Sequence, residues 1–339
     1  VTHRIIELFS RKVELEEGSW EGLTEETRNK LIDECVDQVA EEYGHQILHS
    51  SARNEFVIER LRRILRRTAW ALQKQILAGS FRPAGYEVSF TQVADLDAVN
   101  IALSEEEKMR LKGKIDRIDT CEKDGEVYIK VIDYKSGNKS FDLVALYYGL
   151  QLQLVVYLNA AVEMEQRIHK EKEIIPAGIF YYHVKDPMLT GKDTESAEEI
   201  SSEILRELKL TGLVSSDKKV YREMDQHFAG TSDVIPVAEN KDGTLSKRSK
   251  AVKKEQFHTL SSFVQEKMKE LGRRMLDGEI AAVPFERKTQ TGCDYCIYRS
   301  ICRMDPKLPG THYRRLKEYS EEMIWKKMEN QEDGNELDQ

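Results

Sequence analysis

Asp124-Gly125 stands between two segments of extended character, near 111–120 and 126–135. It is the strongest local signal for a two-residue hairpin turn. With these two residues at the tip, Lys123 pairs with Glu126, and following the antiparallel ladder brings Asp116 opposite Asp133. Facing residues in such a ladder have β-carbons about 4.5–5.5 Å apart. Two carboxylates at that spacing repel unless a proton or a cation lies between them, so the hairpin predicts a divalent-metal site. Lys135 falls two residues beyond Asp133, on the same face and about 6.6 Å along the strand. Beneath them Ile118 meets Val131 and Thr120 meets Ile129, an apolar layer. The other face pairs Arg117 with Ile132 and Asp119 with Lys130 in a cross-strand ion pair. Two readings compete with a metal site: an acidic pair neutralised by Lys135, and a one-residue bulge that turns one carboxylate away.

The rest of the 339 residues sets this hairpin in an α/β context. Ile5, Ile6, Leu8, Phe9 and Val13 recur at helical spacing directly after Val1-Thr2-His3-Arg4. With no initiator Met, the chain reads as a piece of a larger polypeptide. Thr24-Glu25-Glu26-Thr27 can start a helix whose apolar stripe is Leu31, Ile32, Cys35, Val36 and Val39. A second long helix, about 53–79, turns Leu61, Ile64, Leu65 and Thr68 inward. Its basic run Arg60-Leu-Arg-Arg-Ile-Leu-Arg-Arg67 covers the other side, as a solvated or partner-facing surface or as a phosphate-contacting strip. After Pro83 the apolar period changes from 3.6 to 2, which predicts strands near 85–91, 111–120 and 126–135, and another from Ile175 to Val184. His183 and Asp186, near that strand's end, read as structural.

Residues 141–163 are apolar almost all round, as in a buried helix. Residues 196–228 and 252–276 read as helices, and Asp242-Gly243 as a small hairpin. The expected organisation is one elaborated domain over 1–329. It comprises a helical part at 1–80, a catalytic core at 81–190, a helical part with a small hairpin at 191–280, a cysteine segment at 281–311 and a final helix at 312–329. An acidic tail follows at 330–339.

Hydrophobic residues make up 40% of the chain, enough to bury a core. The excess of 60 Asp and Glu over 52 Lys and Arg, a net charge of −8, argues against a protein that coats DNA by bulk charge. A DNA enzyme built on carboxylates stays open. No stretch approaches the roughly 18 apolar residues of a membrane span, and nothing at the start resembles a signal peptide. A cytoplasmic protein with no membrane partner is expected. There is no Gly-x4-Gly-Lys-Ser/Thr loop, so any ATP dependence would reside outside this chain. Cys293-x-x-Cys296-x5-Cys302 offers three soft ligands, with Arg299 and Arg303 nearby to offset thiolate charge. Zinc and iron–sulfur clusters each want four ligands. Cys35, on its apolar stripe, and Cys121, opposite Tyr128, read as buried core residues.

Gly113-Lys-Ile-Asp-Arg-Ile-Asp119 followed by Val131-Ile-Asp-Tyr-Lys-Ser-Gly137 resembles the core of the PD-(D/E)xK nucleases, in the branch that includes RecB-type nuclease domains. Gln153-Leu-Val-Val-Tyr157 is similar to the Gln-x-x-x-Tyr motif of that branch, a spacing that puts both side chains on one helix face. His3 matches the branch's upstream metal-binding histidine. With Pro176-Ala-Gly-Ile-Phe-Tyr-Tyr182 and the cysteine segment, the likeness covers nearly the whole chain and extends to the B-subunit nuclease regions of AddAB-type (RexAB-type) helicase–nucleases.

The resemblance implies a restriction-endonuclease-like fold, a mixed central sheet flanked by helices. It implies that His3, Asp116, Asp133 and the backbone carbonyl of Tyr134 hold Mg²⁺, with Glu87 as a further candidate. Lys135 would orient the attacking water and stabilise charge on the scissile phosphate, while Gln153 and Tyr157 position DNA or the lysine. Phosphodiester hydrolysis needs a nucleophile at neutral pH and an electrostatic clamp, and a hard cation held by carboxylates supplies both.

The resemblance further implies an exonuclease acting on the 5′-ended strand. Single-stranded DNA would be delivered by an AddA-type helicase–nuclease partner, in double-strand-break repair by recombination in a bacterial cytoplasm. It implies that Cys293, Cys296 and Cys302 bind a [4Fe–4S] cluster whose fourth cysteine lies upstream of the motif histidine. Because the chain starts two residues before His3, an incomplete cluster site is expected. The alternatives are a stand-alone Cas4-like nuclease, an inactive scaffold that binds DNA or a partner, and a zinc-binding interaction module, which leaves the hairpin unexplained.

Overall fold

The apolar periodicity at the start of the chain becomes three helices, α1 (Thr2–Lys12), α2 (Glu25–Glu42) and α3 (Ala52–Leu77). In this computed structural model residues 1–44, 46–90, 96–137, 139–189, 196–302 and 304–332 are described. Arg303 and residues 333–339 of the acidic tail lie outside them. Thr24 caps α2, its hydroxyl accepting from the Thr27 N–H at 3.2 Å, and Ser51 caps α3 through the Asn54 N–H at 3.2 Å. Each cap satisfies an N–H that a helix start leaves without an intrahelical partner. Ile5, Ile6 and Phe9 of α1, the α2 stripe including Cys35, and Leu65 and Thr68 of α3 are all buried.

Six strands follow: β1 (Arg82–Ser89), β2 (Lys114–Lys123), β3 (Glu126–Lys135), β4 (Glu173–His183), β5 (Thr211–Ser215) and β6 (Ala251–Val252). They form one mixed sheet in chain order. β1, β2 and β3 are antiparallel, β3 and β4 parallel, β4 and β5 antiparallel, and β5 and β6 parallel. At the β2–β3 turn both Asp124 (φ 54°) and Gly125 (φ 84°) are left-handed, the backbone a type I′ turn demands. The ladder runs without a bulge from Lys123↔Glu126 to Arg117↔Ile132, so Asp116 and Asp133 are the next positions along it. The bulge alternative does not apply.

A helix, α4 (Gln153–Ile168), joins the parallel strands β3 and β4 and lies on them. Cys121, Tyr128, Ile132, Tyr134 and Tyr182, on the other face of the sheet, share one core with α1, α2 and α3. The fold is therefore α/β, a mixed central sheet flanked by helices. Within that core Arg117 donates to both Asp119 oxygens at 2.6 Å, and Lys130 reaches the same carboxylate at 3.3 Å. All three side chains are 2% exposed or less. What reads in sequence as an ordinary cross-strand pair is a fully buried charge triad.

Three local expectations are corrected. The single helix expected over 141–163 is two, Leu143–Tyr147 and α4, broken where Gly149 turns left-handed (φ 81°). The helix expected over 196–228 contains β5, flanked by α5 (Ala197–Glu207) and α6 (Lys218–Met224). Long-range pairing of Leu213 and Val214 with β4 overrides local propensity there. The last helix begins at Glu321 rather than near 312, because Arg314–Arg315 is held as a strand beside Phe285.

The described residues form two compact units, Val1–Val99, Leu111–Phe141 and Gln153–His258 in the sheet unit, and Asn100–Arg110, Asp142–Leu152 and Thr259–Gln339 in the second. Within the second, Tyr147 stacks on Phe263 at 5.7 Å, and Arg287 bridges Asp142 (2.7 Å) and Glu318 (2.6 Å). The segment expected to be irregular contains the short strands Phe285–Arg287 and Gln290–Thr291 and one helical turn, Arg299–Cys302. No helix among the described residues is long and apolar enough to cross a membrane.

Candidate active site

Asp116 lies on β2 at the end of the hairpin away from its turn, 7% exposed, and Asp133 lies on β3, 1% exposed. Just beyond the last paired rung, the Asp116 carboxylate accepts the Tyr134 N–H at 2.7 Å. That bond fixes the carboxylate beside Asp133. From α1, His3 brings its Nδ1 to 3.4 Å from Asp116 Oδ1 and 3.9 Å from Glu87 Oε1. Among the described residues His3, Glu87 and Asp116 are the one group of three whose ligand atoms all lie within 4.8 Å of one another. Asp133 is not a member of that tight group, and its carboxylate is paired with the Lys135 ammonium.

Sequence reasoning placed Glu87 only as a further candidate, and the sheet register explains its position. Tyr86 pairs with Arg117 and Val88 with Ile115, so Glu87 lies across from Asp116. Its backbone is left-handed, φ 48°, a conformation that costs a side-chain-bearing residue about 1–3 kcal/mol and concentrates at functional sites. The β1–β2 pairing joins segments separated in sequence by residues 90–113, so no local pattern reports it.

Lys135 is held on three sides. Its Nζ contacts Asp133, donates to Gln153 Oε1 at 3.3 Å and lies 5.5 Å from the centre of the Tyr181 ring. Gln153 in turn donates to the Tyr157 hydroxyl at 2.7 Å, and Phe90 packs against Tyr157 at 5.9 Å. The helix break places Gln153 at the first turn of α4, where Tyr157 accepts from its amide and Lys135 donates to its carbonyl oxygen. Tyr134 turns its buried ring to the other face, against Tyr182 at 5.9 Å.

The electrostatics are those of a site short of positive charge. Burial, with Asp116 adding to it, raises the pKa of Glu87. Burial also raises that of Asp133 against the opposing effect of Lys135. The contact with Asp116 raises the pKa of His3, and desolvation opposes it. Three carboxylates and one imidazole, all hard or borderline donors, fit a divalent cation of the Mg²⁺ class.

The cysteines divide between the two units. Cys293 and Cys296 are half-buried and Cys302 exposed, all in the second unit, and Cys35 and Cys121 are buried in the sheet unit. Burial pushes the Cys35 thiol up to about 11, the behaviour of an inert core residue.

Residues 1–303 match the PD-(D/E)XK nuclease superfamily. The chain belongs to that superfamily. In this PD-(D/E)XK chain Asp116, Asp133 and Lys135 lie together at one end of the β2–β3 hairpin. It is 38% identical to the ATP-dependent helicase/deoxyribonuclease B-subunit of Caldanaerobacter subterraneus subsp. tengcongensis over 338 residues, 99% of this chain and 29% of that relative. The corresponding B-subunit of Clostridium acetobutylicum is 40% identical over 336 residues, 98% of this chain and 29% of the relative. That of Thermoanaerobacter sp. is 38% identical over 338 residues, with the same shares as the first. The chain thus spans under a third of the length of the curated relatives it matches.

Proposed function

We propose that this PD-(D/E)XK chain is the metal-dependent deoxyribonuclease module of a helicase–nuclease, hydrolysing phosphodiester bonds of single-stranded DNA. The observation that carries the reading is the convergence of His3, Glu87 and Asp116 beside the Asp133–Lys135 pair. His3, Glu87, Asp116 and Asp133 would hold a divalent cation such as Mg²⁺, with the Tyr134 carbonyl as a further oxygen ligand. When bound, the ion supplies Lewis-acid polarisation of the phosphate and a nucleophile at neutral pH.

The chain's own side chains do the rest. Lys135, fixed by Asp133 and Gln153, presents its ammonium to the attacking water and to charge developing on the phosphate. Tyr157 locks the amide of Gln153, and so the direction from which Lys135 is held. The names of the relatives, helicase/deoxyribonuclease subunits, support an AddA-type partner that delivers the strand. Attack on the 5′-ended strand and a role in double-strand-break repair by recombination complete the proposal; they rest on the resemblance of the hairpin and Gln-x-x-x-Tyr motifs to AddAB-type nucleases, not on the relatives' names.

A [4Fe–4S] cluster on Cys293, Cys296 and Cys302 belongs to this proposal only with a fourth ligand from elsewhere, because three thiols do not complete such a site and the remaining two are core residues.

The test is digestion of single-stranded DNA with Mg²⁺ by the wild-type chain, Asp133→Ala and Lys135→Ala. Cleavage by wild type that Asp133→Ala abolishes and Lys135→Ala lowers by about 10²–10³, with circular dichroism unchanged, is the expected result. A folded wild-type chain that binds Mg²⁺ yet is as inert as Asp133→Ala would favour the scaffold reading.

A further inference from the structure

A cavity of about 410 Å³ opens within the sheet unit, walled by α2, α3 and the chain beyond β4. Its positive lining is Arg28, Arg63, Arg66 and Arg67, and Trp70, Glu25 and Asp186 also line it. Positions 63, 66, 67 and 70 lie on one face of α3, because residues three and four apart are helix neighbours.

The four guanidinium groups are not equivalent. Arg63 pairs with Asp186 at 2.9 Å, and Arg66 with Asp33, its Nε at 2.8 Å from Oδ1. Among the described residues no carboxylate makes an ion pair with Arg28 or Arg67. Arg28 is 6% exposed. It donates through Nη1 to the neutral Gln73 at 2.8 Å, and its Nε has no hydrogen-bond partner among the described residues. Burial, which Glu25 partly offsets and Arg67 reinforces, lowers its pKa. A buried cation without a counter-charge is costly to maintain, and an incoming anion relieves that cost. Arg67 stacks its guanidinium 5.5 Å over the Trp70 ring, a half-buried aromatic face of the kind on which nucleobases stack.

The cavity's position supplies the last element. His183 is the rung opposite Lys135 in the parallel β3–β4 ladder, and Asp186 follows three residues later. Asp186 thus places the cavity near the carboxyl end of β3 and β4, on the α2–α3 side of the sheet, and Asp133 and Lys135 lie at that same end of the strands.

We propose that this cavity is a nucleotide subsite for the single DNA strand, its phosphate held by Arg28 and Arg67 and its base laid on Trp70. The choice of DNA as the anion rests on the nuclease reading given above. The subsite itself rests on the unpaired arginines. Guanidinium is suited to it because its planar fork binds phosphate through two parallel hydrogen bonds.

The test is equilibrium binding of a labelled oligothymidylate to the full chain in EDTA, where cleavage does not interfere, across a series of NaCl concentrations. The variants are Arg67→Gln and Trp70→Phe, both at half-buried positions, each checked by circular dichroism. Arg67→Gln is expected to weaken binding about tenfold and to flatten the slope of log K against log salt by about 0.7, the value for one phosphate contact on a single strand. Tryptophan quenching by the oligonucleotide should vanish in Trp70→Phe, which leaves Trp20 and Trp325 in place. Unchanged affinity, slope and quenching in both variants would overturn the proposal. Inorganic phosphate that displaces the oligonucleotide, with no quenching of Trp70, would overturn it in favour of a small-anion site.

A parallel Mg²⁺ cleavage assay with Asp133→Ala separates the two readings. Binding that depends on Arg67 without any cleavage removes the nuclease reading and leaves the subsite. Cleavage that depends on Asp133, with binding indifferent to Arg67 and Trp70, does the reverse.

Discussion

The buried triad behind the active site makes the sharpest prediction about stability. Asp119 stands three residues from Asp116 on β2 and is the shared counter-ion of two buried cations, Arg117 at 2.6 Å and Lys130 at 3.3 Å. Asp119→Asn keeps the shape and removes the charge, leaving a guanidinium and an ammonium buried together without a counter-ion. Removing one partner of a buried pair costs about 3–5 kcal/mol, a large part of the total for a domain of this kind. At about 2–4 °C per kcal/mol for a domain of this size, the melting temperature should fall by roughly 6–20 °C.

The pH dependence has a definite sign. Burial opposes ionisation of Asp119, but Arg117 and Lys130 outweigh it and hold its pKa below the ordinary 3.8. A depressed carboxylate pKa contributes stability above the unfolded value and loses it as pH falls through the folded one. Wild type should therefore lose this contribution below about pH 4, and Asp119→Asn should lack that limb. Urea denaturation followed by circular dichroism, at pH 7 and downward, reads both effects. A loss under about 1 kcal/mol, or an unchanged acid limb, would refute the reasoning, since an unpaired buried charge costs more than that. The triple replacement Arg117→Met, Asp119→Leu and Lys130→Met should recover much of the loss, because an apolar trio carries no unpaired charge.

The active site supplies three more predictions. Lys135→Ala should lower kcat by about 10²–10³, as loss of a charge-stabilising donor does, read on single-stranded DNA with Mg²⁺. Glu87→Gly should separate stability from function: relief of the left-handed backbone raises metal-free stability by up to about 1 kcal/mol, while calorimetry shows weaker Mg²⁺ binding. Gln153→Ala should cost about tenfold in activity, less than Lys135→Ala, because it removes a positioning contact, and Gln153→Glu should restore part of it by giving Lys135 an acceptor again.

The hairpin was legible in the sequence because everything that specifies it is local. Asp124-Gly125 sets the turn, the turn sets the register, and the register brings Asp116 to Asp133 with Lys135 on the same face. The Gln153–Tyr157 contact was legible for the same reason, as an i, i+4 pair on one helix. Where distant segments meet, the sequence was silent. The third carboxylate, Glu87, reaches the site through a strand whose partner β2 begins only at Lys114, and β5 is a strand only because β4 lies beside it.

Charge shows the same division. Composition reports a net charge of −8 and a basic run on one helix, but not which arginines find carboxylates. Folding gives Arg63 to Asp186 and Arg66 to Asp33 and leaves Arg28 and Arg67 without one among the described residues. It also sinks Arg117, Asp119 and Lys130 out of water. By itself the sequence determined the turn, the register and the chemistry those place together, since these depend on spacing along the chain. Only the tertiary structure decided which charges are buried, which are paired and which remain for a ligand, since those depend on what packs from far away.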